Sequence, residues 1–352
     1  MIVAEDARWI RDVVYSATTA GDGQAIASTA LMLGHHFVRV AYEGSIAVRS
    51  TNRLVGVPEL AELLPDKFET VTARVRHMSK LLDDTKKSDH QIFGEVGEAL
   101  AQNRRAFLRT VHPLVRWLAT DLGLYRINGR IVGGTVPMSY RLGIDVSSQR
   151  TMFDEAISAL TKEWGAMLAV LAVVDLEQPA QTSTLTLDFS TGSDYDVRSS
   201  KYLPGRYDVV LDESAKLLLL MIEGDLNCNE LYLPSTSVGH EQPVFRARVV
   251  SLYHSLRAVA SIVAPCTSNA ARRVQQVLDD GPTQMLLSPG GKQVRNRCVH
   301  YEIRDARITI DPGRPFYGIV EDVFPGETFE SFDRTVTNVT ARLAEALGGW
   351  SR

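Results

Sequence analysis

Apolar residues recur at helical spacing through both halves of the chain. Ala7 to Ala17 predicts a short helix. Asp22 stands where it caps a second one, from Ala25 to about Ala41. Ile26, Ala30, Leu33, Phe37 and Val40 step by three and four and predict its buried face. Arg49 to Gly56 reads as loop, and Pro58 opens a short helix ending near Leu64. Phe68, Val71, Val75, Met78 and Leu82 resume the period. Ile92, Val96 and Leu100 carry it on, then Phe107, Val111, Leu114 and Leu118, with Pro113 kinking or restarting the run. Arg126 to Tyr140 contains Gly129, Gly133 and Gly134 and predicts a turn or short hairpin. Phe153 to Leu176 predicts a long helix with a wide apolar face through Ile157, Leu160, Trp164, Met167, Leu171 and Val174.

The pattern then changes. Thr182, Thr184 and Thr186 alternate with Ser183, Leu185 and Leu187, a period of two that predicts one exposed strand. Ser190 to Arg206 is rich in Ser, Gly, Asp and Tyr and places a domain boundary near Gln178 to Pro204. Tyr207 to Leu211 reads as extended. Leu217 to Ile222 is apolar on every side, as in a buried helix. Phe245, Val249, Leu252, Leu256, Val259 and Val263 form the clearest amphipathic stripe. A short helix follows over Thr267 to Asp280. Gly281-Pro282 and Ser288-Pro289-Gly290-Gly291 mark two breaks. Ile308 and Ile310 predict a strand that pairs with Phe316 to Val320. Phe329, Phe332, Val336, Val339, Leu343 and Leu347 predict the last helix. The expectation is a mainly α chain with small β insertions. It divides into a helical N-terminal domain (1–177), a linker or strand-containing insertion (178–205) and a helical C-terminal domain (206–352).

Composition narrows the function classes. A formal charge of −4 argues against a protein wrapped in nucleic acid, while leaving room for a local basic groove. Cys228, Cys266 and Cys298 are odd in number and far apart, so neither a disulfide framework nor a thiolate zinc site is indicated. No secretory pattern opens the chain and no apolar run reaches membrane-spanning length. The expectation is a cytoplasmic protein with no membrane contact and no cofactor. Adjacent His35 and His36 point about 100° apart on a helix and read as separate core or surface residues. Arg104, Arg105, Arg109 and Arg116 read as a solvated basic edge, with RNA contact as the alternative.

The strongest candidate chemistry lies in Val294-Arg295-Asn296-Arg297-Cys298-Val299-His300-Tyr301. On a helix, Asn296 and His300 stand one turn apart on one face, with Arg295 beside them. Arginine presents a planar fork of donors to phosphate oxygens, and histidine moves a proton near neutral pH. The pair suits phosphodiester chemistry. Lys292, Arg297, Arg304 and Arg307 make a small basic island around it, against Glu302 and Asp305. No carboxylate cluster at metal-ligand spacing accompanies it, so no catalytic metal is expected. Cys298 reads as packing.

Arg295-Asn296-x-x-x-His300 resembles the Arg-x(4–6)-His signature of HEPN domains, and the trailing Tyr301 is similar to that superfamily too. The resemblance covers Arg206 to Leu347 at most. It implies a helical bundle, often dimeric, and metal-independent RNA cleavage in bacterial defence or toxin–antitoxin systems, with an antitoxin or defence-system partner. It implies Arg295, Asn296 and His300 as catalytic residues, with Lys292, Arg297 and Arg304 binding RNA. One copy supplies one such histidine, so a homodimer would bring the acid and the base together. The main alternative is a non-catalytic helical scaffold that binds a partner or small ligand. DNA binding is less favoured, because no strongly basic recognition helix is evident.

Overall fold

A computed structural model describes residues 2–19, 23–50, 64, 70–83, 86–109, 111–112, 114, 116, 119–142, 162–173, 188–301 and 310–350. The described residues are mainly helical, with one small sheet among them. Helices α1 (Ile2–Thr19), α2 (Gly23–Ser50), α3 (Thr70–Met78) and α4 (Asp89–Leu108) precede the sheet. Strands β1 (Leu122–Ile127) and β2 (Arg130–Gly134) form a hairpin, followed by α5 (Thr135–Leu142), α6 (162–172) and β3 (Gly192–Val197). The remainder is α7 (Ser199–Arg206), α8 (Glu213–Leu231), α9 (Glu241–Val263), α10 (Asn269–Asp279), α11 (Gly281–Leu287), α12 (Pro289–Val299), α13 (Ile319–Val323) and α14 (Phe329–Gly348).

The predicted hairpin turns at Asn128 and Gly129, both with positive φ (51° and 74°), the geometry that two-residue hairpin loops require. β1 is central in the order β2-β1-β3, antiparallel to both neighbours. β3 lies within the segment expected to be a linker or strand-containing insertion, but outside the Thr182 to Leu187 stretch read as its strand. Its exposed Ser, Asp and Tyr residues hide the strand from an apolar-alternation reading, and backbone pairing to β1 from Leu122↔Val197 to Ile127↔Gly192 makes it. The Arg126 guanidinium stands 3.6 Å over the Tyr195 ring across these strands. The strand predicted at Thr182 to Leu187 lies outside the described residues, as does the segment containing Ile308. Its expected partner, Phe316 to Val320, is no strand. Pro315–Gly318 is a tight 3-10 turn with Phe316, Tyr317 and Gly318 all at positive φ, and α13 follows it. Tyr207 to Leu211 is likewise a turn, with Tyr207 edge-on to Trp350.

Helix α8 is the core element. Leu217 to Ile222 are all buried, because α9, α14, α4 and β2 cover it on every side. The stripes of α9 and α14 bury as their spacing predicts, apart from a half-exposed Phe329. In α2 the outcome differs. Leu33, Phe37 and Val40 are buried, but Ile26 and Ala30 are exposed. In its first turns α2 buries Ala25, Ser28, Thr29 and Met32 instead. The Thr29 hydroxyl lies 2.7 Å from the Ala25 carbonyl and 2.5 Å from the Tyr232 hydroxyl. A satisfied hydroxyl is cheap to bury, so the polar side turns inward.

Two apolar clusters form the interior. One gathers α4, α8, α9, α10, α12 and α14 with part of the sheet. The other gathers α1, α2 and α6 with Tyr232, Leu233, Val244 and Ala247. Each draws on both sides of the expected 178–205 boundary, so the core does not divide there. Asp6, which is fully buried, joins the two halves. It accepts from Arg246 Nε at 2.8 Å and Nη2 at 2.5 Å, from Arg39 Nη2 at 3.3 Å and from the Tyr301 hydroxyl at 2.6 Å. Burial works against the Arg246 charge, but Asp6 and Glu5 overcome it and raise its pKa above the ordinary value. Arg246→Met leaves Asp6 short of its main cation. It is expected to cost about 3–5 kcal/mol in urea unfolding, with Asp6→Ala plus Arg246→Met costing less than the two single changes summed. Additive costs would show that the pair is not coupled.

Candidate functional site

Helix α12 carries the motif. Ser288 caps it, its hydroxyl accepting from Gly291 N at 3.2 Å, and Pro289 occupies the first turn. The Ser-Pro break read from the sequence is therefore a helix start. Gly291 permits the tight corner with α11: a Cβ there would lie 1.9 Å from the Leu286 carbonyl oxygen. Gly291, Val294 and Cys298 face the core at three- and four-residue spacing. Burial pushes the Cys298 thiol up to about 12, which fits packing and not nucleophilic work.

His300 is not on the helix. It is the C-cap, with extended φ/ψ, and its backbone N–H still donates to the Asn296 carbonyl at 2.8 Å. Its side chain is 49% exposed, and Nδ1 lies 2.8 Å from Glu43 Oε2. Glu43 comes from α2, so the orienting carboxylate lies 257 residues away in sequence. Its other oxygen accepts from Arg76 Nε at 2.7 Å. Burial works against this carboxylate's charge, yet His300 and Arg76 hold its pKa down at about 2. Among the described residues, His300 Nε2 has no hydrogen-bond partner.

Arg295 is half-buried on the same helix end, but its fork is filled. Nη2 pairs with Asp83, and Nη1 donates to Asn296 Oδ1 at 2.8 Å. Its guanidinium stands 5.1 Å from the Tyr253 ring centre, and the same Nη2 comes within 3.4 Å of His254 Nδ1. The direct phosphate contact expected of Arg295 is thus met by a carboxylate of this chain. Asp83 is half-buried against α9. Lys292 is exposed, Arg297 is half-buried with partners of its own, and Arg304 lies outside the described residues. Of the basic edge, the two arginines on α4 are paired: Arg104 with Glu213 and Asp121, and Arg105 with Glu98.

Sequence reasoning missed Glu43, Arg76, Asp83 and His254. None neighbours the motif in sequence, and no spacing rule links them to it. His254 sits in the apolar stripe of α9 and is buried against Asp83, Nδ1 to Oδ2 at 3.2 Å. Behind it lies a small cavity lined by His35, His36, Arg39, Arg76, Asp225 and His254. His35 and His36 enter it together, contrary to the expectation from helical angles. Their rings tilt to 3.9 Å between centres, which leaves His35 Nδ1 and His36 Nε2 buried without partners.

Among the described residues, no helix is long and apolar enough to cross a membrane, and no three His, Cys, Asp or Glu side chains group as metal ligands. No protein-family model, no curated protein and no solved structure matches the chain.

Burial depresses the pKa of His36, helped by Arg39 and Arg141. Burial also lowers His254 to about 4, with Arg295 adding to the shift and the bond to Asp83 opposing it. Both are neutral in the folded chain near neutral pH. On acidification the unfolded chain takes up these protons first, so stability present above pH 6.5 is lost as pH falls toward 4. The loss is at most about 1.4 kcal/mol per pH unit for each histidine. Asp225, pushed up by burial in the same cavity, acts in the opposite sense once it gains its proton. Thermal melts from pH 7 to 5 are expected to show a falling midpoint, with a shallower slope in His36→Phe. Parallel profiles for the two proteins would contradict this.

Proposed function

We propose that this chain is a metal-independent endoribonuclease that cleaves RNA by attack of a ribose 2′-OH on the adjacent phosphate. The observation that carries the reading is the Glu43–His300 pair. A buried carboxylate orients the imidazole through Nδ1 at 2.8 Å, and a half-exposed ring presents Nε2 away from it. That is the arrangement of an oriented general base or acid. His300 takes the 2′-OH proton as the oxygen bonds to phosphorus. The 5′-oxygen leaves and takes a proton from a second donor. His300 of a second copy fills that role in a homodimer. The half-buried Asn296 lies one turn back, its amide orientation set by Arg295, and offers N–H donors to the phosphate oxygens. Lys292 and Arg297 contribute positive charge, and Arg304 belongs to the same proposal. The resemblance of the six-residue motif to the HEPN signature supports the assignment, including control by an antitoxin-like or defence-system partner.

One observation favours the second reading, a non-catalytic scaffold. The Arg295 fork is occupied by Asp83, which ties the end of α12 to the turn after α3.

The two readings separate on product chemistry. Purified protein is expected to cleave RNA in EDTA and to leave 2′,3′-cyclic phosphate or its hydrolysed form. His300→Ala should lower the rate about 10²–10⁴-fold with the fold intact, and Glu43→Gln by a smaller factor. Asn296→Ala should have the mildest effect. Cleavage unchanged in His300→Ala, or cleavage that needs metal and leaves other ends, rejects the nuclease mechanism. Sedimentation should give a dimer; an active strict monomer rejects the shared site.

A further inference from the structure

Three nitrogen groups converge on one carboxylate beside the motif. Asp83 Oδ2 pairs with Arg295 Nη2 and lies 3.2 Å from His254 Nδ1, while Oδ1 lies 3.9 Å from Arg257 Nε. Donors from α12 and α9 surround the carboxylate as they would an oxyanion. The charges do not balance locally. Arg295 and Arg257 are two fixed cations against a single carboxylate. Burial depresses the Arg295 pKa, and Arg76, itself already paired with Glu43, adds a smaller push in the same direction. Arg295 Nε is buried and has no partner among the described residues, so the guanidinium is one acceptor short. The site is not sealed, since the Arg257 side chain is 57% exposed.

The element that delivers Asp83 is under strain. The carboxylate sits on a single 3-10 turn, Leu81–Asp83, in which Leu81 has φ of 53°. A branched apolar side chain rarely adopts that left-handed conformation, and such residues concentrate at clamps and switches. Leu81 itself is buried in the core and anchors the turn, so Asp83 at its half-buried end is the part that turns away when its contacts are replaced.

We propose that Asp83 occupies, from within the chain, an oxyanion site built by Arg295, Arg257 and His254, and that a phosphate group takes this site when the Asp83 side chain swings out. The ligand class is a phosphate oxyanion. If the nuclease reading holds, on which this part rests, the phosphate is one of the RNA backbone, and Asp83 keeps the resting enzyme from gripping it. Arg295 then changes partner, from carboxylate to phosphate, as RNA enters.

The test uses the full chain with Asp83→Ala and Asp83→Asn, the second keeping the shape of the side chain. Inorganic phosphate is titrated against each at constant ionic strength, with chloride as control, by calorimetry and thermal unfolding. The proposal expects phosphate to bind at least one variant about tenfold or more tighter than wild type, and Arg295→Ala in the same background to abolish the gain. Folding is checked by circular dichroism, and Asp83→Asn is the reading if Asp83→Ala unfolds. A second arm measures binding of a short oligoribonucleotide in a His300→Ala background, which removes turnover. Tighter RNA binding on loss of Asp83 supports the backbone assignment. Phosphate binding without any gain for RNA supports the oxyanion site and overturns its assignment to RNA. No gain in phosphate affinity in a folded variant overturns the proposal, whatever the wild-type protein does to RNA.

Discussion

The structure depends on one buried carboxylate. Asp6, on the first helix, is reached by two arginines and a tyrosine from three other parts of the chain. Arg39 does more than pair with it. Its Nη1 donates to the Cys298 carbonyl at 2.7 Å, so one guanidinium ties α1 and α2 to the end of the motif helix. Tyr301, just past the motif, hangs its hydroxyl on the same carboxylate. Glu5 extends the set to Arg246 and to the Tyr317 hydroxyl. Buried charges of this kind persist only when every one has partners. The cluster therefore specifies one mutual placement of α1, α2, α9 and α12.

That placement gives the candidate site its chemistry. With α2 held against the end of α12, Glu43 comes within hydrogen-bond distance of His300, and an ordinary surface histidine becomes an oriented one. The same packing brings the turn after α3 onto α9, where Asp83 meets Arg295. Two histidines lie near the motif in very different states. His300 is half-exposed at the helix end, while His254 is buried and held neutral by its surroundings. Proximity alone would have made them look equivalent; only His300 is open to solvent.

The helices were the legible part of the fold, since the three-and-four spacing in α9 and α14 reports burial on one face directly. The hairpin was legible through the Asn128-Gly129 turn. Strand β3 was not, because an exposed edge strand needs no apolar alternation once a neighbour supplies its backbone bonds. Phe316 and Tyr317 misled in the opposite way: their apolar character suggested a strand, yet both sit in a tight turn at positive φ. Ile26 kept the period of its stripe and still faced outward, because hydrogen-bonded Thr29 could be buried in its place.

By itself the sequence determined the helical class and the stretch in which Arg295, Asn296 and His300 stand together; it read Ser288-Pro289 as a break where the structure starts α12, and His300 as helical where the structure makes it the C-cap. What it determined follows from local rules, which act over a few residues. Tertiary structure alone decided that Asp83 would fill the Arg295 fork, that Glu43 would orient His300 and that His35 and His36 would share a cavity. Those pairings join residues up to 257 positions apart. Which carboxylate reaches which cation is set by how the helices pack, and no spacing along the chain encodes it.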